Sequence, residues 1–395
     1  MQRAISFACL AGLILTASAT AAAQTAPQRQ RVNVSKLGPQ VGQRVPDFTL
    51  QDQEGRARSL QSIMGPRGAM VVFVRSADWC PYCRTQLVEL QGQVETLRKH
   101  GLGLAAISYD SQEILKSFAR RQGITYPLLS DVGSATITRY GILNTVVDEA
   151  LGPNGKDPDV LADLRLYATI NAPTENLRGI PFPGTFLVDR QGRVTSRFFE
   201  DYYRERTTTS NVLLRVGAAG PSVRGTQVST DHLDLRTYPS DQTIALGNRF
   251  SLALDITPKK GIHVYAPSAT NYRVVSLTVA PQPYVRVLPV KYPASEIYHF
   301  KPLNERVATY QKPFTLLVDI VPDVTPEAQK AFSGKKELAL TGTLEYQACD
   351  DKICYNPVSL PLSWTVAVKP NVAGAPAPAA RSAGPTGPAL HHCDS

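Results

Sequence analysis

Nowhere in this chain do the 42 lysines and arginines gather into a run, although they outnumber the 33 acidic residues. A dispersed positive surplus favours solubility and attraction to an anionic surface, and it makes no case for nucleic acid. Long apolar runs are also missing. Beyond the first 23 residues no stretch is long and apolar enough to span a bilayer, so no transmembrane segment is expected in the mature chain. The six histidines offer no partner pair that would complete a zinc site with the first two closely spaced cysteines. No metal and no cofactor is therefore expected. Cysteine itself is scarce, at six in 395 residues, and its placement carries most of the information.

Residues 1–23 hold Arg3, an apolar core over 7–15 and the small residues Ala21-Ala22-Ala23, the layout of a secretory signal peptide. The competing reading, a permanent anchor helix, needs a longer apolar core. Cys9 lies inside the core and leaves with the peptide. Export places the remainder in an oxidising compartment, read here as the periplasm. Cys80, Cys83, Cys349, Cys354 and Cys393 then remain, an odd number, so at least one is free or pairs between molecules.

The chain is organised around residues 71–83. Val71-Val72-Phe73-Val74 is a buried-strand pattern, followed by a short polar turn and Trp79-Cys80-Pro81-Tyr82-Cys83. Leu87, Leu90, Val94 and Leu97 then recur at helical spacing, with Lys99 and His100 in the last turn and Gly101 able to take the left-handed exit. This puts Cys80 at the first helical turn, where unpaired N–H groups and the helix dipole favour an anion. A thiolate is the nucleophile in disulfide exchange, and Cys83 stands one turn away to resolve a mixed disulfide. Pro81 is tolerated there because its missing N–H would be unpaired anyway. A structural disulfide or half of a zinc site are the bland alternatives; strand, C-x-x-C and helix together favour redox chemistry.

Trp79 to Cys83 with its flanking strand and helix resembles the thioredoxin superfamily. Val45-Pro46-Asp47-Phe48-Thr49-Leu50 and Tyr126-Pro127-Leu128-Leu129-Ser130-Asp131 resemble its AhpC/TSA redoxin branch. The resemblance implies a thioredoxin-like α/β domain over 37–216. It also implies a cis Pro183 before the Thr185-Phe186 strand, with the backbone ahead of it open to a substrate strand. Trp79, Pro81, Tyr82, Phe182 and Pro183 are then the expected substrate-binding residues. The peroxiredoxin pattern Pro-x-x-x-Thr/Ser-x-x-Cys is absent: counting back from Cys80 gives Phe73 and Ala77, and from Cys83 gives Ser76 and Cys80. That argues for disulfide exchange over peroxide reduction.

Within this half, residues 102–108 read as a strand and Asp110-Ser111-Gln112-Glu113 as a capping box opening a helix to Gln122, ended by Gly123. Strands alternating with helices predict a mostly parallel sheet. Residues 144–179, with two turn signals and a short helix over 160–167, read as an insertion on the active-site side. Residues 216–222 read as a linker.

Past the linker, short alternating apolar stretches separated by Pro and Gly predict an all-β antiparallel sandwich over 223–368, with helix only over 325–332. Cys349 and Cys354 stand close together at a strand end, which by itself reads as a loop-closing structural disulfide. Tyr346-Gln347-Ala348-Cys349 with Cys354, and Gly261-Ile262-His263-Val264-Tyr265-Ala266 upstream, resemble the amino-terminal domain of the DsbD thiol:disulfide interchange family. The resemblance implies an immunoglobulin-like fold and a redox-active Cys349–Cys354 pair, with Cys354 exchanging and Cys349 resolving. It also implies an aromatic cap, assigned to Tyr298-His299-Phe300, and as partners periplasmic protein thiols and disulfides together with a DsbD-type membrane electron donor. Residues 369–395 form an Ala/Pro/Gly-rich disordered tail by composition, ending in His391-His392-Cys393.

The expectation is an exported thiol–disulfide oxidoreductase passing electrons between Cys80/Cys83 and Cys349/Cys354 or partner proteins. Its rivals are a thiol peroxidase using Cys80, and a redoxin whose sandwich is a non-catalytic docking module.

Overall fold

The computed structural model describes residues 31–168, 177–200, 202–217, 225–300 and 304–372. The segment read as a signal peptide, Cys9, the tail with His391, His392 and Cys393, and most of the linker lie outside the described residues.

The first half builds a seven-stranded sheet. Its elements are β1 (Thr49–Asp52), β2 (Ala57–Ser59), α1 (Leu60–Ile63), β3 (Gly68–Phe73), α2 (Pro81–Lys99), β4 (Leu102–Ser108), α3 (Gln112–Gln122), β5 (Leu128–Ser130), α4 (Ala135–Arg139), α5 (Val146–Leu151), α6 (Pro158–Tyr167), β6 (Gly184–Val188) and β7 (Val194–Phe199). The strand order is β2-β1-β5-β4-β3-β6-β7. Only β3–β4 and β4–β5 are parallel. The other pairs are antiparallel, so the sheet is mixed, against the mostly parallel expectation. The reason is connection type: α2 and α3 cross over and return the chain in parallel. By contrast β6 and β7 form a hairpin through residues 189–193, and the 144–179 segment brings β6 back against β3 in the opposite sense.

β3 is central and buried along its whole length. Met70 and Val72 face Leu87, Leu90, Leu97 and Phe118 on one side. Val71 and Phe73 face Ile107, Tyr140 and Phe186 on the other. Leu87, Leu90 and Leu97 are each at most 1% exposed, so each contributes about 2 kcal/mol by burial. The helix α3 is capped by Ser111, whose side chain accepts from Ile114 N–H, and not by Asp110. Gly123 takes the left-handed exit at φ +65°.

The first half ends in the short β8 (Arg206–Thr207) and α7 (Thr209–Arg215), and the second half carries β9 (Thr226–Ser229), β10 (Leu233–Pro239), β11 (Thr243–Ile244), β12 (Asn248–Pro258), β13 (His263–Tyr265), β14 (Ser276–Val279) and β15 (Val285–Val287). Then follow β16 (Glu296–Phe300), β17 (Glu305–Tyr310), β18 (Phe314–Pro322), α8 (Pro326–Phe332), β19 (Glu337–Tyr346), β20 (Ala348–Cys349) and β21 (Val358–Val368). Sheet β15-β18-β12-β10-β9 packs on β11-β21-β19-β14, giving an immunoglobulin-like β-sandwich. Its core includes Phe250, Leu252, Leu254, Leu316, Val318, Leu340 and Trp364. Trp364 Nε1 donates to Thr237 Oγ1 across the sheets at 2.7 Å. A third small sheet, β16-β17-β13-β20, carries the second cysteine pair.

The halves share a strand pairing. β8, reached from the redoxin sheet, runs parallel to the start of β12, with Arg206 opposite Asn248 and Thr207 opposite Arg249. Arg249 bridges Glu200 (3.5 Å) and Glu205 (3.3 Å). Ser251 Oγ donates to Asn211 Oδ1 at 2.8 Å, and Lys369 pairs with Glu89 of α2 at 3.3 Å. No helix among the described residues is long and apolar enough to cross a membrane.

Candidate functional site

The turn from β3 into α2 is held by a buried carboxylate. Asp110 accepts from Ser76 Oγ (2.8 Å), Ala77 N–H (2.7 Å) and Ser108 Oγ (2.8 Å). Burial pushes its carboxyl up, against the pull of those bonds. Ser76 Oγ in turn accepts from Asp78 N–H at 2.9 Å. Cys80 then occupies the N-cap of the 19-residue helix α2, and its Sγ accepts from Cys83 N–H at 3.3 Å. Pro81 stands at the first helical position. Cys80 and Cys83 are joined in a disulfide with their Cα atoms 5.3 Å apart. Neither residue exposes more than 1% of its surface.

Residues 202–208 run beside this pair, and Arg206 of this segment and Arg75 of the turn before the motif are both buried. Arg75 lies between the rings of Trp79 and Tyr203, 4.8 Å from each centroid. Its Nη2 donates to the Ala168 carbonyl at 2.6 Å, which ties the 144–179 segment to the motif as expected. Burial and the neighbouring Arg206 bring Arg75 down to about 9. Arg206 is also buried, and burial brings it to about 10 against the opposing Glu200. Its Nη2 lies 3.1 Å from Cys83 Sγ. Trp79 Nε1 donates to Tyr109 Oη at 3.0 Å.

Of the expected substrate-binding residues, Trp79, Pro81 and Tyr82 are half-buried and keep an accessible edge, while Phe182 and Pro183 are buried. Pro183 is trans, as is every peptide bond among the described residues, so the cis expectation fails. The backbone ahead of it is also not open: Phe182 N–H donates to the Ile142 carbonyl at 2.8 Å, and the Phe182 ring packs edge-on to Tyr167. The chain has met its own 142–167 region where a substrate strand was expected. Arg75, Asp110, Tyr203 and Arg206 were invisible to motif reading, because each is distant in sequence from its partner or lies outside the C-x-x-C.

At the second pair Cys349 ends β20, opposite His263 of β13. Cys349 and Cys354 form a disulfide with Cα atoms 4.0 Å apart. Asp350 closes the loop between them, accepting from the Lys352 and Ile353 N–H groups at 2.7 Å and from Tyr355 Oη at 2.8 Å. Those bonds hold its carboxyl down at about 2. Cys349 is 1% exposed, whereas Cys354 is exposed. Tyr265 Oη lies 3.3 Å from Cys349 Sγ and 3.4 Å from Cys354 Sγ, placed to donate to whichever sulfur carries charge. Tyr272 stacks on Tyr265 with centroids 4.1 Å apart. Of the residues assigned to the cap, Tyr298 packs on His263 at 4.4 Å and His299 bonds Asn304. The ring against the sulfurs is Tyr265.

The two pairs lie at opposite ends of the sandwich. Arg206, on Cys83, pairs with the first residue of the eleven-residue β12. At its far end Lys259 N–H bonds the His232 carbonyl, and the His232 ring packs on Tyr355, next to Cys354. A strand of that length separates its ends by on the order of 30 Å. β21 repeats the measure, from Val358 opposite Tyr346 to Lys369 on Glu89. Direct exchange between the pairs is therefore not available in this arrangement, contrary to an intramolecular relay. No cluster of three or more metal-ligating side chains occurs among the described residues.

Residues 41–197 match the family model of the AhpC/TSA family, and residues 236–360 match that of the DsbD thiol:disulfide interchange protein, N-terminal. The chain is 33% identical to the chloroplastic peroxiredoxin Q of Sedum lineare over 131 residues, covering 33% of this chain and 68% of that protein. It is 34% identical to that of Populus jackii over 101 residues, covering 26% and 46%. The chain thus spans about half to two thirds of the length of these curated relatives. A solved thiol peroxidase from Chromobacterium violaceum aligns at 22% identity and a TM-score of 0.34, covering 46% of this chain and 90% of that one.

Proposed function

Because the chain belongs to the AhpC/TSA family and continues into a DsbD amino-terminal domain, we propose that this thiol-based oxidoreductase works by dithiol–disulfide exchange at two separate centres. The observation that carries the reading is that each centre holds two cysteines in disulfide contact with a hydrogen-bond donor aimed at sulfur. The donors are Cys83 N–H and Arg206 at the first centre and Tyr265 Oη at the second. In the reducing direction, the Cys80 thiolate attacks a client disulfide, forming a mixed disulfide and releasing one client thiolate. Cys83 then attacks Cys80 Sγ, and the second client thiolate leaves. Two electrons pass from the dithiol to the client. At the second centre Cys354 takes the first role, since it is the accessible sulfur, and Cys349 the second.

Electrons move between the centres through partner thiols, given the separation of about 30 Å. The leader over residues 1–23 supports a periplasmic setting, in which protein thiols are clients and a DsbD-type membrane protein serves Cys354. A second reading, peroxide reduction at Cys80, draws support from the enclosure of that sulfur, which favours a small oxidant over a protein. Against it, Phe73 and Ala77 stand where a peroxide-holding proline and hydroxyl would be.

The test mixes fully reduced protein, in a Cys349→Ser/Cys354→Ser background, with hydrogen peroxide or with an oxidised protein disulfide. Trp79 fluorescence reports the first centre, because Trp364 is buried in the sandwich core. Fast oxidation by the protein disulfide and slow oxidation by peroxide is expected. The reverse order would make the first centre a peroxidase.

A further inference from the structure

Arg206 belongs to the segment that joins the two halves, and its guanidinium reaches a reacting atom. Its backbone N–H donates to the Gly247 carbonyl at 2.9 Å and Thr208 N–H to the Arg249 carbonyl at 3.0 Å, both in the β-sandwich. Its Nη1 is fixed by the Tyr203 and Glu205 carbonyls, which leaves Nη2 aimed at Cys83 Sγ. The nearby acids Glu200 and Glu205 act on Arg206 through space, while their carboxylates hydrogen-bond and ion-pair with other groups. Glu200 accepts from Thr207 N–H and Oγ1 and faces Arg249. Glu205 is shared by Arg249 and Arg286. Arg75, as deeply buried as Arg206, adds a second positive charge to the same pocket. With the pair oxidised, sulfur is neutral and the pocket carries a cationic surplus; a buried charge of this kind is costly until an anion meets it.

We propose that Arg206 holds the Cys83 thiolate, and that the β-sandwich sets the reactivity of the first centre by pinning Arg206 through β8–β12 pairing. The proposal rests on the exchange reading above and deepens it. When a client thiolate attacks Cys80 Sγ of the disulfide, the Cys80–Cys83 bond breaks as the new S–S bond forms. The electron pair leaves on Cys83 as a thiolate beside a guanidinium that keeps its proton. In the reverse step the Cys83 thiolate attacks Cys80 Sγ and expels the client thiolate. Stabilising the reduced form in this way makes the disulfide more oxidising. By linkage, reduction also tightens the junction of the halves. The sandwich thereby acts on a centre far from its own cysteine pair.

The test is a pH titration of ultraviolet thiolate absorbance in the full chain, with Cys83 as the sole cysteine. Arg206→Met is expected to raise the Cys83 pKa and cut its thiolate fraction at neutral pH roughly tenfold or more, and Arg206→Lys to restore part of it. Gly247→Ala probes the sandwich side without touching either group. Gly247 sits at φ +84°, and a Cβ there would stand 2.5 Å from the Arg204 carbonyl oxygen, so the segment must shift. It should move the titration in the same direction as Arg206→Met. An unchanged titration in a folded Arg206→Met chain, judged by circular dichroism, overturns the role of Arg206. A shift with Arg206→Met but none with Gly247→Ala overturns control by the sandwich. Should Arg206→Met fail to fold, Arg206→Lys and Gly247→Ala decide alone, and no shift in either sinks the proposal. The titration uses no client, so its failure leaves the exchange reading standing, and failure of exchange in the stopped-flow test leaves the titration standing.

Discussion

The Cys80–Cys83 pair sits at the mouth of a long helix with both residues buried, while Cys354 of the second pair stands on the surface beside a buried Cys349. The first pair is surrounded by guanidinium groups and a helix N-terminus. The second is surrounded by tyrosines, with Asp350 bracing its loop. Both settings place a donor at sulfur, one a guanidinium and the other a tyrosine hydroxyl, groups that favour a sulfur anion. They differ in access. A site that is sealed selects small or deeply inserting partners, and an exposed sulfur at a loop accepts a protein surface. A chain holding one of each can face two kinds of partner without the pairs ever meeting.

The contrast in access is the easiest to break. In the reduced protein, a bulky maleimide should label Cys354 about a hundredfold faster than Cys80, since reactivity follows thiolate character and exposure. Mass spectrometry of time points reads this directly, and equal rates would mean that Cys80 is not enclosed in solution as its 1% exposure shows it. Next in size is the support beneath the first pair. Asp110→Ala leaves Ser76 Oγ, Ala77 N–H and Ser108 Oγ buried without their acceptor. A loss of about 3 kcal/mol in urea denaturation is expected. No such loss should follow Asp350→Asn, whose loop is exposed; similar losses would erase the distinction.

The smallest effect concerns the junction under α2. Burial holds the Glu89 carboxyl up at about 7, against the 4.5 of a free glutamate, with Lys369 opposing. A raised carboxyl binds its proton more tightly when folded. Its stabilisation is thus complete below pH 4.5 and is lost as pH rises through about 7. Glu89→Gln should flatten that decline, with the difference bounded by about 3 kcal/mol. Thermal melts of both chains from pH 5 to pH 8 read it. Parallel pH profiles would show that Glu89 is ionised and satisfied at the junction.

Legibility from sequence followed the range of the interaction. The β3–turn–α2 unit was readable because strand, C-x-x-C and helix periodicity are contiguous, and α8 appeared where residues 325–332 predicted it. The capping box at residues 110–113 was read one residue early. Asp110 has the right chemistry for an N-cap but a stronger set of donors in the turn before Cys80, and Ser111 caps instead. The cis proline and open backbone were carried in by likeness, and the Phe182 N–H bond to Ile142 shows why they do not transfer.

The order of charges, apolar periods and cysteine spacings determined by itself that two vicinal cysteine pairs would sit on an α/β unit and a β-sandwich, because those signals act over a few residues. Which sulfur faces water, which arginine meets Cys83 across 123 positions of sequence, and how far apart the pairs stand were decided only by the tertiary structure. Burial and Coulomb interaction depend on distance in space, and β8 pairing with β12 sets that distance at the first pair.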